Sequence, residues 1–284
     1  MDIKDHPCFS ARCQPGTGRI HLPVAPRCNI FCRFCARGLT RGVELPGNAS
    51  RILTPEEAAG VVETALLLCP DIRVAGVAGP GDPLAGPESL EALRLVKAAH
   101  PGIISCLSTN GLALEGAMDG LVAAGVQTLT VTVNAVDPAI LARLNRGVLV
   151  DGRFSGGLEG ASILLAAQER GVRAAVRSEM TVKINTVLVP GINAHHVGEV
   201  ARAVRGWGAD IINIIPVIPA HDLSHVPAPT PGEYAEAMEA AGRHLTVKTN
   251  CRRCRADACG IPGLSDFSEA LYGSPGFQET FSHG

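Results

Sequence analysis

The string Cys28-Asn29-Ile30-Phe31-Cys32-Arg33-Phe34-Cys35 sets three thiols at Cys-x-x-x-Cys-x-x-Cys spacing, directly after an apolar run that reads as a strand. Three thiolates delivered by one loop converge on one centre. A closed zinc site wants four ligands in Cys-x-x-Cys pairs, which this string does not supply. On a [4Fe–4S] cluster, three thiolates leave one iron without a protein ligand, and a small molecule can bind there through an amine and a carboxylate. The chain has ten cysteines. Of the rest, Cys251-x-x-Cys254 is a chelating pair suited to an iron–sulfur cluster or zinc. No thioredoxin-like helix follows it, which argues against a redox dithiol. Cys69 stands alone in an apolar helical context and reads as core. Cys8, His21 and Cys106 are far apart in sequence, and a lone His or Cys on a strand is usually a packed core residue.

Elements must bring such residues together. Short β-branched runs at Ile20 to Ala25, Ile72 to Val77, Ile103 to Leu107, Thr128 to Val133, Val182 to Val189 and Ile211 to Ile215 read as strands. Between them run helical segments, from Thr54-Pro55-Glu56-Glu57 onward and then Pro87 to His100, Ala117 to Ala124, Leu158 to Arg170, Ala194 to Val204 and Pro231 to His244. This alternation predicts an α/β fold, a partial (βα)6 TIM-like barrel whose site lies at the strands' C-terminal ends. Residues 1–19, rich in Cys, Gly and Pro, read as an arm over one barrel face, residues 20–246 as the barrel, and residues 247–284 as a Cys-rich tail.

With 284 residues and 46% hydrophobic content, one main domain is expected. A net charge of −2 with no basic run argues against nucleic acid as partner. The first ten residues hold no apolar core of a signal peptide, and no apolar stretch is long enough for a membrane span, so a cytoplasmic protein is expected. In a reducing compartment, so many cysteines point to metal or redox work rather than disulfides.

With Phe34 just before the last cysteine, the Cys28-Cys32-Cys35 motif resembles the radical S-adenosylmethionine (SAM) superfamily. The resemblance implies reductive cleavage of SAM to methionine and a 5′-deoxyadenosyl radical, chemistry that the cofactor performs while the protein positions it. It extends to the loop Val77-Ala78-Gly79-Pro80-Gly81-Asp82-Pro83, where relatives receive the SAM amino group on a glycine-rich backbone. Gly79, Gly81, Asp82, Thr109, Asn110 and Asn134, with Lys183 and Asn185 on alternate positions of one strand, are therefore the candidate SAM-binding residues.

Longer strings resemble one family, the nitrogenase cofactor maturase NifB. They are His6-Pro7-Cys8, His21-Leu22-Pro23-Val24-Ala25-Pro26, Ala78-Gly79-Pro80-Gly81-Asp82-Pro83-Leu84, Val133-Asn134-Ala135-Val136-Asp137-Pro138, Val187-Leu188-Val189-Pro190-Gly191-Ile192-Asn193 and Cys251-Arg252-Arg253-Cys254-Arg255-Ala256-Asp257-Ala258. The resemblance implies that two [4Fe–4S] units, besides the SAM cluster, are fused around a SAM-derived carbide into the eight-iron precursor of the nitrogenase cofactor. By the same resemblance Cys8, His21 and Cys106 hold one substrate cluster, which makes the arm and the tail cluster-binding segments. Partners implied are an iron–sulfur cluster donor, a separate cofactor carrier or scaffold, and a reductant such as ferredoxin or flavodoxin.

The family pattern has a further cysteine six residues after the third, where this chain has Arg41. Cys259, in Ala258-Cys259-Gly260, is expected to replace it and complete a metal triplet with Cys251 and Cys254, with Cys13 and Glu44 as the next candidates. The departure keeps three alternatives open: a NifB-like paralogue acting on another metal cofactor, a radical SAM peptide or small-molecule modifying enzyme with an auxiliary cluster, and a non-enzymatic iron–sulfur carrier.

Overall fold

The computed structural model describes residues 6–9, 16–35, 39, 47–249, 251 and 254–273. Cys13, Arg41 and Glu44 lie outside the described residues. Chain order runs β1 (Gly18–His21), β2 (Ile30–Cys32), α1 (Pro55–Leu68), β3 (Ile72–Val77), α2 (Glu88–Ala99), β4 (Ile104–Thr109), α3 (Met118–Ala123), β5 (Val126–Thr132), α4 (Pro138–Leu144) and the hairpin β6 (Asn145–Val150) and β7 (Arg153–Gly156). Then follow α5 (Gly157–Arg177), β8 (Thr181–Leu188), α6 (Val197–Trp207), β9 (Ile211–Pro216), α7 (Pro231–Gly242), β10 (Thr246–Val247), β11 (Cys259–Gly260) and α8 (Ser268–Tyr272).

The main sheet has the order β10-β9-β8-β5-β4-β3-β1-β11. Its strands run parallel in sequence order except β11, which pairs antiparallel with β1. All six expected strands are present as neighbours, and β10 adds a two-residue rung. Helices cover the outer face: Val62 and Ala65 of α1, Leu93 and Val96 of α2, and Val200 and Val204 of α6 pack with Ile20, Leu107, Leu129, Ile184 and Ile212 of the strands into one core. Helix starts follow local rules. Thr54 and Glu57 form a reciprocal capping box with Pro55 at the first helical position, and Thr230 with Glu233 repeats it ahead of Pro231.

Several features differ from the sequence expectation. Helix α5 runs to Arg177 rather than stopping near Arg170, because Gly171 lies inside it at a close approach to Leu114 instead of ending it. Strand β4 extends through Ser108 and Thr109. A second, three-stranded sheet β2-β6-β7 and the short helix α4 are additional. Asp137 caps α4 by accepting from Ala139 N–H, and Asp151-Gly152 turns the β6–β7 hairpin with positive φ at both residues.

Arm and tail are bonded into the barrel. Lys183 and Lys248 donate to the carbonyls of Cys8 and Pro7. On the tail side, β11 pairs with β1, and the Tyr272 hydroxyl donates to the His21 carbonyl at 2.7 Å. Among the described residues, no helix is long and apolar enough to cross a membrane.

Candidate functional site

Leaving the main sheet after β1, the chain makes a bridge between Ala25 and Pro80 and then carries its three cysteines around β2. Cys32 ends β2, opposite Asn145 of β6, and Cys35 closes a turn by donating its N–H to the Cys32 carbonyl. All three thiols are half-buried, and Cys28 and Cys32 pack against a small core that includes Ile30 and Val148. Arg33, between the last two cysteines, and Arg146 of β6 both hold Asp222, which ties this loop to the segment after β9.

The Gly-Pro-Gly-Asp loop after β3 lies directly on this turn. Gly81 donates to the Ala25 carbonyl at 2.7 Å and Asp82 N–H to the Arg27 carbonyl at 2.6 Å. A Cβ on Gly81 would stand 1.9 Å from the Arg27 oxygen, so only glycine allows the approach. The buried Asp82 carboxylate accepts from the Thr109 hydroxyl, Asn110 N–H and Leu84 N–H. Asn110 in turn donates to the Asn29 side chain at 2.7 Å, with its amide 4.0 Å from the Cys28 sulfur. Asn134 accepts from Val187 N–H, and Asn193 donates to the Asn134 carbonyl. Asp82, Thr109 and Asn134, expected from the sequence at the cofactor, thus have hydrogen bonds that tie the loops of the site together.

Strand register aligns the next group. His21 of β1, Gly76 of β3, Cys106 of β4 and Thr128 of β5 are successive partners across the sheet. Gly76 has no side chain, and a Cβ there would crowd that of Cys106 at 3.2 Å. The His21 Nδ1–H donates to the Arg255 carbonyl at 2.9 Å, which leaves Nε2 with its lone pair. Burial and then the Arg19 charge push the His21 pKa down to about 4, keeping the imidazole neutral, the form that binds metal. Burial pushes the Cys106 thiol up to about 11, Cys8 adds to this, and Lys183 opposes it. Cys8, on the arm whose backbone Lys183 and Lys248 hold, acts electrostatically on both Cys106 and Cys254.

The tail pair meets donors from the barrel. Asn213 of β9 donates to the Cys251 sulfur at 3.3 Å and to the Asn185 side chain at 3.1 Å. Arg19 of β1 donates to the Cys254 sulfur at 3.0 Å. Burial raises the Cys254 thiol while Arg19 pulls it back. His6, Arg19, Asn213 and Lys248, all buried, are site residues that the sequence reading missed. A signal existed for Arg19: it stands two residues before His21 on a strand and so shares its face.

Cys259 requires a correction. It pairs with Ile20 across β11 and β1, so it shares the face of Ile20, which belongs to the core under the helices, while Arg19 and His21 alternate to the other face. It is 1% exposed, and burial, with a smaller push from Cys69, drives its thiol up to about 12. Turned to the core face with Ile20, this thiol does not complete the Cys251 and Cys254 set. Cys259→Ala should cost about 1–2 kcal/mol through lost packing, read as a lower urea midpoint, with iron content unchanged.

Among the described residues no three His, Cys, Asp or Glu side chains are gathered tightly enough for a single metal ion. A four-iron cube, which bonds each thiolate to a different iron, spreads its ligands more widely than one ion does.

The Radical SAM superfamily model matches residues 22–204. The chain is 42% identical over 260 residues to the FeMo cofactor biosynthesis protein NifB of Methanocaldococcus jannaschii, covering 91% of this chain and 86% of that one. To the FeMo cofactor biosynthesis protein NifB of Chlorobaculum tepidum it is 39% identical over 275 residues, covering 95% of this chain and 65% of that one. Among solved structures, a radical SAM methyltransferase from Sphaerobacter thermophilus superposes with a TM-score of 0.59 at 20% identity, covering 84% of this chain and 67% of that one. For anSMEcpe with bound AdoMet the TM-score is 0.55 at 19% identity, covering 81% and 58%. At such identities these structures speak for the fold alone.

Proposed function

Because this chain belongs to the radical SAM superfamily and, within it, to the NifB family of FeMo cofactor biosynthesis, we propose that it fuses two [4Fe–4S] units around a SAM-derived carbon into an eight-iron cluster. As a radical SAM protein it uses a [4Fe–4S] cluster and SAM. The observation that carries the fuller reading is the surplus of soft donors at the barrel mouth. Three thiols suffice for the SAM cluster, yet His21 and Cys106 are aligned by strand register, Cys8 acts electrostatically on Cys106 and Cys254, and Cys251 and Cys254 accept from Asn213 and Arg19.

When bound, the resident cluster and SAM supply a methyl group and a 5′-deoxyadenosyl radical. The half-buried thiols of Cys28, Cys32 and Cys35 suit that cluster, and the Asp82, Thr109 and Asn110 network fixes their loop against the glycine loop. Cys8, His21 and Cys106 hold one substrate cluster. A neutral imidazole leaves iron more readily than thiolate does, which suits a cluster that must be given up. Cys251 and Cys254 hold the other, with Lys183, Lys248 and Arg19 offsetting the negative charge of thiolate-bound cargo. An iron–sulfur donor protein supplies the units, a ferredoxin or flavodoxin the electrons, and a carrier or scaffold takes the product.

Iron counting under anaerobic reconstitution tests the loading. Wild-type protein should hold about twelve iron atoms, three four-iron clusters. Cys106→Ala and Cys251→Ala should each lose roughly four while SAM cleavage persists. Pulsed EPR should show a histidine nitrogen coupling that His21→Ala removes. A wild-type protein that never holds more than about four iron atoms would defeat the proposal.

A further inference from the structure

The Arg19 guanidinium is anchored from one side. Its Nη1–H donates to the Gly260 carbonyl at 3.0 Å, and its Nη2–H donates to the Cys254 sulfur at 3.0 Å. The group is planar, and its Nε–H shares an edge with Nη2, so these two donors point outward together as a fork. One prong is on the Cys254 sulfur. The other, Nε, has no hydrogen-bond partner among the described residues, although Arg19 is only 7% exposed. A buried donor left unmade is costly, the more so when it belongs to a charged group. The described residues also place no carboxylate within ion-pair distance of Arg19 or of the nearby buried Lys183. The missing acceptor therefore lies beside the Cys254 sulfur and accepts from nitrogen.

A sulfide of an iron–sulfur cluster bonded to Cys254 meets both requirements: it neighbours the thiolate on a shared iron and accepts hydrogen bonds. His6 repeats the pattern at Cys8. Its Nδ1 accepts the Cys8 N–H at 3.0 Å, so Nε2 carries the proton, and that buried atom also has no partner among the described residues.

We propose that Arg19 is a positioning residue for the substrate cluster at the tail pair, its fork spanning the Cys254 thiolate and an adjacent cluster sulfide. The proposal rests on the reading that Cys251 and Cys254 hold a substrate cluster. Arg19 then sets how firmly that cluster is kept and how its charge is offset, while SAM cleavage proceeds on other thiols. Lysine keeps the charge and loses the fork, so the two contributions separate in Arg19→Lys.

The test uses reconstituted full-length protein. In wild type grown with ¹⁵N-arginine, the reduced substrate-cluster signal should show a weak ¹⁵N coupling by pulsed EPR, absent from Arg19→Lys. With a ferrous chelator, Arg19→Lys should lose that cluster's iron at least tenfold faster than wild type. No ¹⁵N coupling in the wild type overturns the proposal, whatever the variant does, and this arm holds even if the variant fails to fold. Cys254→Ala keeps the two failures apart. Full iron content in that variant overturns the cluster reading itself, whereas iron loss there without coupling to arginine overturns only the part given to Arg19.

Discussion

Alanine at Cys28, Cys32 or Cys35 is expected to remove SAM cleavage, by at least about 10³-fold, the scale on which deleting a chemically essential group acts. The three thiols share one short turn, and each is an irreplaceable third of the ligand set that leaves one iron open. Folding should survive each change, because the thiols are half-buried at the edge of a small core rather than inside the main one. The assay is 5′-deoxyadenosine release under a strong reductant, with circular dichroism alongside. Cleavage at wild-type rate in any of the three variants would remove that cysteine from the ligand set.

Gly81→Ala should be nearly as damaging for a purely steric reason. Its Cβ would fall 1.9 Å from the Arg27 oxygen and 2.5 Å from the Arg27 carbonyl carbon, backbone atoms that cannot rotate away. The glycine loop must then lift off the cysteine turn, breaking the Gly81–Ala25 and Asp82–Arg27 hydrogen bonds. A cost of at least about 3 kcal/mol is expected, which corresponds to SAM binding weaker by about 100-fold if it falls on the closed site. Equilibrium dialysis with SAM and a thermal melt measure the two effects. Gly60→Ala is the control: nothing lies within 4 Å of its Cβ in α1, and alanine there should stabilise by roughly 0.5–1 kcal/mol.

The barrel is legible in the sequence because each buried parallel strand is a short β-branched run and each helix opens on a cap. Helix α4 and the β6–β7 hairpin are harder to read. Seven residues give too little helical period, although Asp137-Pro138 and Asp151-Gly152 carry the cap and turn chemistry. Strand β2 is three residues long and exists through pairing with β6, more than a hundred residues away. The candidate site divides in the same way. The cysteine turn is local and readable from spacing, whereas the alignment of His21 with Cys106 depends on the register of three strands. Cys259 shows the limit of proximity in sequence: five residues after Cys254, it is turned to the opposite face by its pairing with Ile20. Arg19 reaches Cys254 across 235 positions, a contact that only the folded sheet creates.

The central claim, that SAM carbon is built into a cluster on this protein, is tested most directly by giving the reduced, iron-loaded protein SAM labelled in its methyl carbon. The account predicts label in an iron–sulfur product at about one carbon per eight iron atoms, released only when the cluster is destroyed. SAM cleavage at full rate with no label in any cluster would contradict it, and would make the chain a radical enzyme with auxiliary clusters.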